Sequence, residues 1–446
     1  MFQRSVLDNL GKWANKSNRK PLVLRGMRQV GKTTLVTIFA KQFDTYLYLN
    51  LENKQAHTIF EDSPTMDDLL TAIYLHCNKA RTSGKVLLFI DEIQNSPAAV
   101  AQLRYFYEEA PEIYVIAAGS LLESLIDTHI SFPVGRVEYM AVRPCSFTEF
   151  LGAIGETELQ KAIVDIAVPK SIHDKAKSLF NTYTLIGGMP EIVAHYAEHR
   201  DLVAINDIYE TLLSGYRDDV EKYARNDTMK NIIRYILKEG WQYAAQRISL
   251  GSFAGSSYKA REIGEAFRTL EKTMLLELTY PSISCELPAP AELKRSPKLL
   301  WSDTGLVNYA VKIQGEIFAA KDVADAWRGK VAEQIVAQEL LAADARVSNH
   351  RSFWVRDKKG SDAEIDFTLQ QGSHIIPIEV KSGHNSKLKS LHLYLECTSH
   401  RTAVRVWSQP FSIDSVKTPN GKEFSLYNVP FYYVGGVERI LERGKI

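Results

Sequence analysis

The chain is poor in the features that would set it apart from ordinary globular protein. It has only four cysteines in 446 residues. Cys77, Cys145, Cys285 and Cys397 form no C-x-x-C pair. Their spacing offers no disulfide framework or redox motif, and the thiols are expected to be reduced and mostly buried. No apolar run approaches the roughly 18 residues that a membrane-spanning helix needs. The N-terminus mixes Arg4, Asp8 and Lys12 into an amphipathic pattern, which is expected of neither a signal peptide nor an anchor. Charge of one sign is lacking too: 54 Lys and Arg stand against 53 Asp and Glu, a formal net charge of +1. Such a balance gives no overall pull toward nucleic acid, although a basic face can hide inside it. Repeats and low-complexity tracts are absent. The expected setting is the cytoplasm, with no membrane partner.

What is present suits a multidomain α/β protein. Hydrophobic residues make up 45% and charged residues 24% of the chain, and the length allows about three domains. The stretch Gly26-Met27-Arg28-Gln29-Val30-Gly31-Lys32-Thr33 fits G-x-x-x-x-G-K-[ST]. The apolar run 21–24 before it reads as a buried strand, and Thr34 to Ala40 after it as a helix packed on a sheet. Strand, glycine-rich loop and helix start form the setting of a phosphate-binding loop. Successive N–H groups of residues 26–34, Thr34 included, would point at a polyphosphate. Lys32 would reach the β- and γ-phosphates, and Thr33 would offer its hydroxyl to Mg²⁺. The pattern predicts a site for a nucleoside triphosphate.

Further strands are expected at 46–51, 86–91 and 114–120, with helices at 5–14, 65–80 and 98–109. The run Val86 to Ile90 ends in Asp91-Glu92. Placed about 60 residues after a phosphate loop, this pair predicts Asp91 in the Mg²⁺ shell and Glu92 as the general base that polarises the attacking water. Ser120 ends the next strand, either as a sensor hydroxyl near the γ-phosphate or as an N-cap for Leu121-Leu122-Glu123. Arg136 and Arg143 are candidates for a finger acting on a neighbouring subunit; an exposed, salt-bridging arginine is the plainer reading of each.

From about 145 strand patterns stop, and residues 146–225 read as a helical lid broken at Gly187-Gly188-Met189-Pro190. Between 226 and 315 the rhythm changes to a helix at 228–240, an amphipathic helix at 259–274 and two extended runs around a proline-rich loop. That succession resembles a winged helix, whose second helix can lie in a DNA groove. Lys259, Arg261, Arg268 and Lys272 would then touch phosphates; otherwise the module only packs between domains.

Residues 320–446 read as a separate α/β unit. Glu333 lies on a helix at 329–341, Asp366 on a strand, and Glu379 and Lys381 lie two apart, hence on one face of the next strand. Two carboxylates and an ammonium so placed suit Mg²⁺ or Mn²⁺ and a phosphodiester. The pattern matches the PD-(D/E)xK signature in Asp366, Glu379 and Lys381, with Glu333 completing the metal shell. D…E-x-K alone is a weak pattern, and fold does not guarantee cleavage.

Taken together, these pieces resemble prokaryotic AAA+-like ATPases whose C-terminal domain is of unknown function and similar to PD-(D/E)xK nucleases. The likeness rests on residues 26–34, Phe89 to Gln94, Ala118-Gly119-Ser120, Arg143-Pro144 through Glu149-Phe150, and Gly187 to Glu191. It continues in Asp303 to Leu306, Gly329 to Glu333 and Glu379 to Ser382. It implies a P-loop parallel-sheet ATPase core over 1–145, a helical lid, a winged-helix-like middle and a restriction-endonuclease-like end. The proline of the signature's name is missing before Asp366. The expected function is ATP hydrolysis that drives or gates a nucleic-acid-directed C-terminal domain. The alternative is an ATP switch for a protein partner, with the nuclease-like fold inactive. Homo-oligomerisation fits either.

Overall fold

The computed structural model describes residues 2–81, 83–119, 133–220, 224–315, 329–342, 344–358, 362–381 and 388–444. Its first sheet is built from β1 (Leu22–Arg25), β2 (Thr45–Asn50), β3 (Val86–Asp91), β4 (Tyr114–Gly119) and β5 (Glu138–Ala141). All pairings are parallel, in the order β2-β3-β4-β1-β5. Alternate residues of each strand feed opposite faces. Leu24, Leu87, Phe89 and Ile116 pack with Leu10, Trp13, Leu35 and Val36 on one side. Val23, Leu88, Ile90 and Ala117 pack with Leu69, Ile73, Leu103 and Phe106 on the other. Burial on both faces explains the unbroken apolar runs. Helix starts follow their caps: Thr65 accepts from the Asp68 N–H, and Ser96, followed by Pro97, accepts from Ala99. Strand β5 escaped the sequence reading because four residues carry too little periodicity. Leu75, on helix Met66–His76, is exposed.

Helices Phe147–Ala153, Thr157–Val164, His173–Ile186, Pro190–His199 and Ile205–Asp218 then form the expected strand-free region. Ser146 and Glu149 close the first with a reciprocal capping box. The middle region runs helix Asp227–Glu239, β6 (Gln246–Arg247), helix Ala260–Lys272, β7 (Leu276–Thr279), β8 (Pro281–Ser282) and β9 (Lys298–Trp301). Strands β6, β9 and β7 make an antiparallel sheet in that order, and Trp241 stacks on Trp301 at 3.6 Å.

The remaining strands are β10 (Ser352–Val355), β11 (Glu364–Gln371), β12 (His374–Val380), β13 (Thr402–Trp407), β14 (Ser412–Lys417) and β15 (Glu423–Pro430). They form a mixed sheet in the order β14-β15-β13-β12-β11-β10-β8. Its last member, β8, comes from the middle region and pairs in parallel with β10. Helix Thr304–Ala310, which lies in the span 226–315, sends Asn308 Nδ2 to the carbonyls of Thr184 and Leu185 in the helical region after 146. Contacts therefore cross the boundaries expected at 225, 315 and 320. Helix Lys330–Ala342 ties these regions together. It is buried on nearly every side: Gln334 exchanges two hydrogen bonds with the Trp301 backbone, Gln338 accepts from Thr304, and Glu339 accepts from the Phe147 N–H and the Tyr183 hydroxyl.

Cys145 and Cys285 are buried as expected, but Cys77 is half-buried and Cys397 exposed. Burial and the neighbouring Cys397 thiol push the Cys285 thiol up to about 12. Among the described residues no helix is long and apolar enough to cross a membrane.

Candidate functional site

The glycine-rich loop joins β1 to helix Lys32–Phe39. Gly31 turns the chain at φ 88° and Gln29 at φ 61°, so the loop curls as phosphate binding requires. Gly26 is also steric: a Cβ there would lie 2.3 Å from the Val142 carbonyl oxygen. Met27 and Val30 are buried, so within the loop's variable positions they serve as anchors into the core. Lys32 Nζ donates to the carbonyls of Gly26 at 2.8 Å and Met27 at 3.1 Å. Burial lowers its pKa to about 8, against the opposing pull of Glu92 and Asp91. A polyphosphate would supply the compensation that carbonyl dipoles give only in part.

The order of the sheet brings the two motifs together. Strand β3 lies two places from β1, across β4, and its end delivers Asp91 to Thr33: the Thr33 hydroxyl donates to Asp91 Oδ2 at 2.7 Å. These hard oxygen donors fit Mg²⁺. Glu92 stands in the left-handed region at φ 52°, a costly backbone for a residue with a side chain and one that clusters at functional sites. Gln94 Nε2 donates to its carboxylate. Ser120, expected beside them, lies outside the described residues.

A cavity of about 660 Å³ opens over this loop, lined by Gly31, Lys32, Thr33, Thr34, Asp91 and Glu92, with Pro190, Glu191 and Ala194 from the lid. The lid residues had no assigned role in the sequence reading. Arg28 forms an ion pair with Asp219, and the Tyr216 hydroxyl donates to the Arg28 carbonyl. The lid thus closes over the loop from helices Pro190–His199 and Ile205–Asp218. Neither candidate finger stands out. Arg136 pairs with Glu108 at 2.7 Å on the surface. Arg143 donates to the carbonyls of Asp344 and Arg346, and burial, with the Arg351 cation adding, lowers its pKa to about 10.

The C-terminal constellation includes a cation that its spacing did not show. Among the described residues no three His, Cys, Asp or Glu side chains gather as a metal-ligand set. Lys298, from β9, enters instead, with its side chain 2% exposed. Its ammonium lies 3.2 Å from Glu333, 2.9 Å from Glu364 and 3.4 Å from the Asp366 carbonyl. The rings of Phe353 and Phe367 are centred 5.0 and 5.4 Å away. Asp366 Oδ2 accepts from the Val380 N–H at 2.7 Å, and Lys381 pairs with Glu379 at 2.6 Å. Burial pushes all three expected acids, Glu333, Asp366 and Glu379, above the usual carboxylate range. Sequence reasoning missed Lys298 and Glu364. Glu364 could have been found, since it lies two residues from Asp366 and so on the same strand face; nothing local marks Lys298.

Fold and site define an α/β P-loop ATPase core followed by a separate mixed sheet. The family described as "AAA domain" matches residues 18–151. Two domains of unknown function, DUF8612 and DUF4143, match residues 177–316 and 328–415. The AAA match supports ATP binding and hydrolysis. No curated protein sequence matches this chain. Among solved structures, it is similar to C. elegans PCH-2 at 13% identity and TM-score 0.27, covering 44% of this chain and 61% of that one. It is also similar to the Thermotoga maritima RuvB Holliday junction branch migration motor, at 16% identity and TM-score 0.29, covering 66% and 93%. A third is the Aeropyrum pernix ORC1 protein in complex with DNA, at 11% identity and TM-score 0.23, covering 69% and 90%. At scores this low, none of these likenesses bears on what this chain does.

Proposed function

We propose that this protein hydrolyses ATP with Mg²⁺ and that its nucleotide state gates a nucleic-acid-directed C-terminal domain. One observation carries the first half: Lys32, Thr33, Asp91 and Glu92 line a single cavity, with the lid at its mouth. Lys32 would hold the phosphates, Thr33 and Asp91 the metal shell, and Glu92 would take the proton of the attacking water. A continuous set of contacts supports the gating. Pro190 lies 3.6 Å from the point where a Cβ on Gly31 would sit. Just before it, the Gly188 N–H donates to Asp303 at 2.6 Å and the Gly188 carbonyl accepts from Cys145 at 2.6 Å. Asp303 opens helix Thr304–Ala310, and Thr304 reaches Gln338 on the central helix. A lid displaced by phosphates would move this set.

Lys298 favours a second reading, in which the nuclease-like fold does not cleave and ATP switches the chain toward a protein partner. Its ammonium stands among carboxylates where catalysis would require Mg²⁺ or Mn²⁺. The two readings part on cleavage and stimulation. ATP turnover raised by DNA, and DNA cut in Mn²⁺ and lost in Asp366→Asn, Glu379→Gln and Lys381→Ala, would uphold the first; slow turnover indifferent to DNA, with no cutting, would uphold the second. ATP hydrolysis itself is tested by Lys32→Ala, expected to lose nucleotide binding. Glu92→Gln should keep binding and lose turnover by on the order of 10²-fold or more. Equal turnover in Glu92→Gln and wild type would remove Glu92 from this role.

A further inference from the structure

A second large cleft, of about 740 Å³, lies where the ATPase sheet, the middle region and the C-terminal unit meet. Six cationic side chains line it, Arg25, Arg143, Arg268, Lys272, Arg346 and Arg351, against the carboxylates of Glu271 and Glu277. In a chain whose net charge is +1, this gathers positive charge into one concave place, where field lines focus. Part of it is balanced: Arg351 pairs with Glu277 at 2.8 Å and Arg346 with Asp344 at 2.7 Å. Arg143 registers the crowding of cations, since the Arg351 guanidinium adds to burial in lowering its pKa. The helix Ala260–Lys272 divides its basic residues accordingly. Arg268 and Lys272, one turn apart, line the cleft; Lys259 and Arg261 do not. The wall also includes Tyr139, 45% exposed on β5, and the exposed His350.

We infer that this cleft binds single-stranded nucleic acid, its phosphates on Arg268, Lys272, Arg143 and Arg346 and a base on Tyr139. A basic groove with an aromatic platform is the arrangement that holds single strands without reading sequence. A volume of about 740 Å³ is that of a small-ligand pocket and suits a few nucleotides of single strand rather than a duplex. Arg25 is the last residue of β1, immediately before Gly26, and Arg143 follows Val142, whose carbonyl abuts Gly26. A strand seated here would therefore bear on both sides of the phosphate loop. The inference deepens the proposed gating and rests on that reading for its purpose, though not for its binding chemistry.

The test uses the full chain and labelled oligo-dT, oligo-U, a matched DNA duplex and inorganic polyphosphate, with anisotropy read over a salt series. Oligonucleotides should bind more tightly than duplex, with a steep salt dependence. The Arg268→Ala/Lys272→Ala pair should reduce the log–log slope by about 1.4, about 0.7 per lost phosphate contact. Lys272→Arg should retain binding. Tyr139→Ala should weaken oligonucleotide at least about 5-fold, as a lost stacking contact does, while leaving polyphosphate unchanged. Thermal melts of each variant separate lost binding from lost folding. Duplex binding equal to that of single strands, polyphosphate binding alone, or affinity unaltered in folded Arg268→Ala/Lys272→Ala would each overturn the inference. ATP turnover measured without oligonucleotide tests the ATPase reading separately. A chain that hydrolyses ATP and ignores oligonucleotides defeats this inference alone, whereas one that binds them without turnover defeats the ATPase reading and leaves the cleft assignment standing.

Discussion

Lys32 and Lys298 both stand near acids, and the two arrangements differ in where the lysine comes from. In the nucleotide site Lys32 belongs to the loop it serves. Its ammonium rests on carbonyls of that loop, and Asp91 keeps its carboxylate on Thr33. In the C-terminal cluster the buried ammonium belongs to β9, 35 residues before Glu333. It rests directly on carboxylates contributed by a helix and by β11. The first arrangement leaves charge for a ligand to neutralise. The second satisfies its charge internally and joins two regions of the chain. A constellation of acids is thus open or closed according to which cation reaches it, and D…E-x-K spacing does not say.

The largest effect that would sharpen this contrast is at Lys298. Lys298→Met keeps length and removes charge, leaving the half-buried Glu333 and Glu364 side by side without their cation. Unfolding in urea should show a loss of roughly 3–5 kcal/mol, as for a broken buried ion pair. Added Mn²⁺ should recover part of it if the carboxylates can take a divalent ion, whereas a loss under about 1 kcal/mol would mean the ammonium does not close the cluster. A fragment starting at 320 would lack both Lys298 and β8, which completes the mixed sheet, so this comparison needs the full chain.

Next is the link between the two sites. A Cβ at Gly188 would lie 2.2 Å from the Cys145 carbonyl oxygen, and backbone cannot yield cheaply. Gly188→Ala should cost roughly 1–3 kcal/mol in urea unfolding and lower ATP turnover in the molecules that remain folded. Unchanged stability and turnover would cut the proposed relay.

A smaller effect is read in pH. Burial pushes Glu339 up to about 7 and Asp303 up to about 6. A raised carboxyl pKa means that the folded state holds more protons than the unfolded one between the ordinary value and the raised one. Stability should therefore fall as pH rises, between about 4 and 6 for Asp303 and between about 4.5 and 7 for Glu339, by at most about 1.4 kcal/mol per pH unit per group. Glu339→Gln, which keeps an oxygen for Tyr183 and Phe147, should remove one group's share. The same slope in both proteins would mean Glu339 is ionised throughout.

The smallest is Arg136→Ala. Its pair with Glu108 is exposed and screened by solvent, so its loss should hardly change stability. Turnover should hardly change. A fall of 10³-fold would instead mark it as a finger reaching a neighbouring subunit and would end the account of the nucleotide site as one built within a single chain.

Much was legible in the sequence where the determinant is local. Glycine at 26 and 31, Lys32 and Thr33, and the apolar run into Asp91-Glu92 act over a few residues, so pattern alone located the loop and the strands β1 to β4, while β5 escaped it. The helical stretch after 145 and the strands bearing Asp366 and Glu379 were legible for the same reason, since burial on one or two faces leaves its period in the sequence. Tertiary structure alone decided that β8 leaves the middle region for the C-terminal sheet, that Arg268 and Lys272 share a cleft with Arg25 and Arg143, and that Lys298 fills the carboxylate cluster. Each depends on residues far apart in sequence meeting in a packed interior, where desolvation makes partnership compulsory but leaves the partner's identity to the fold.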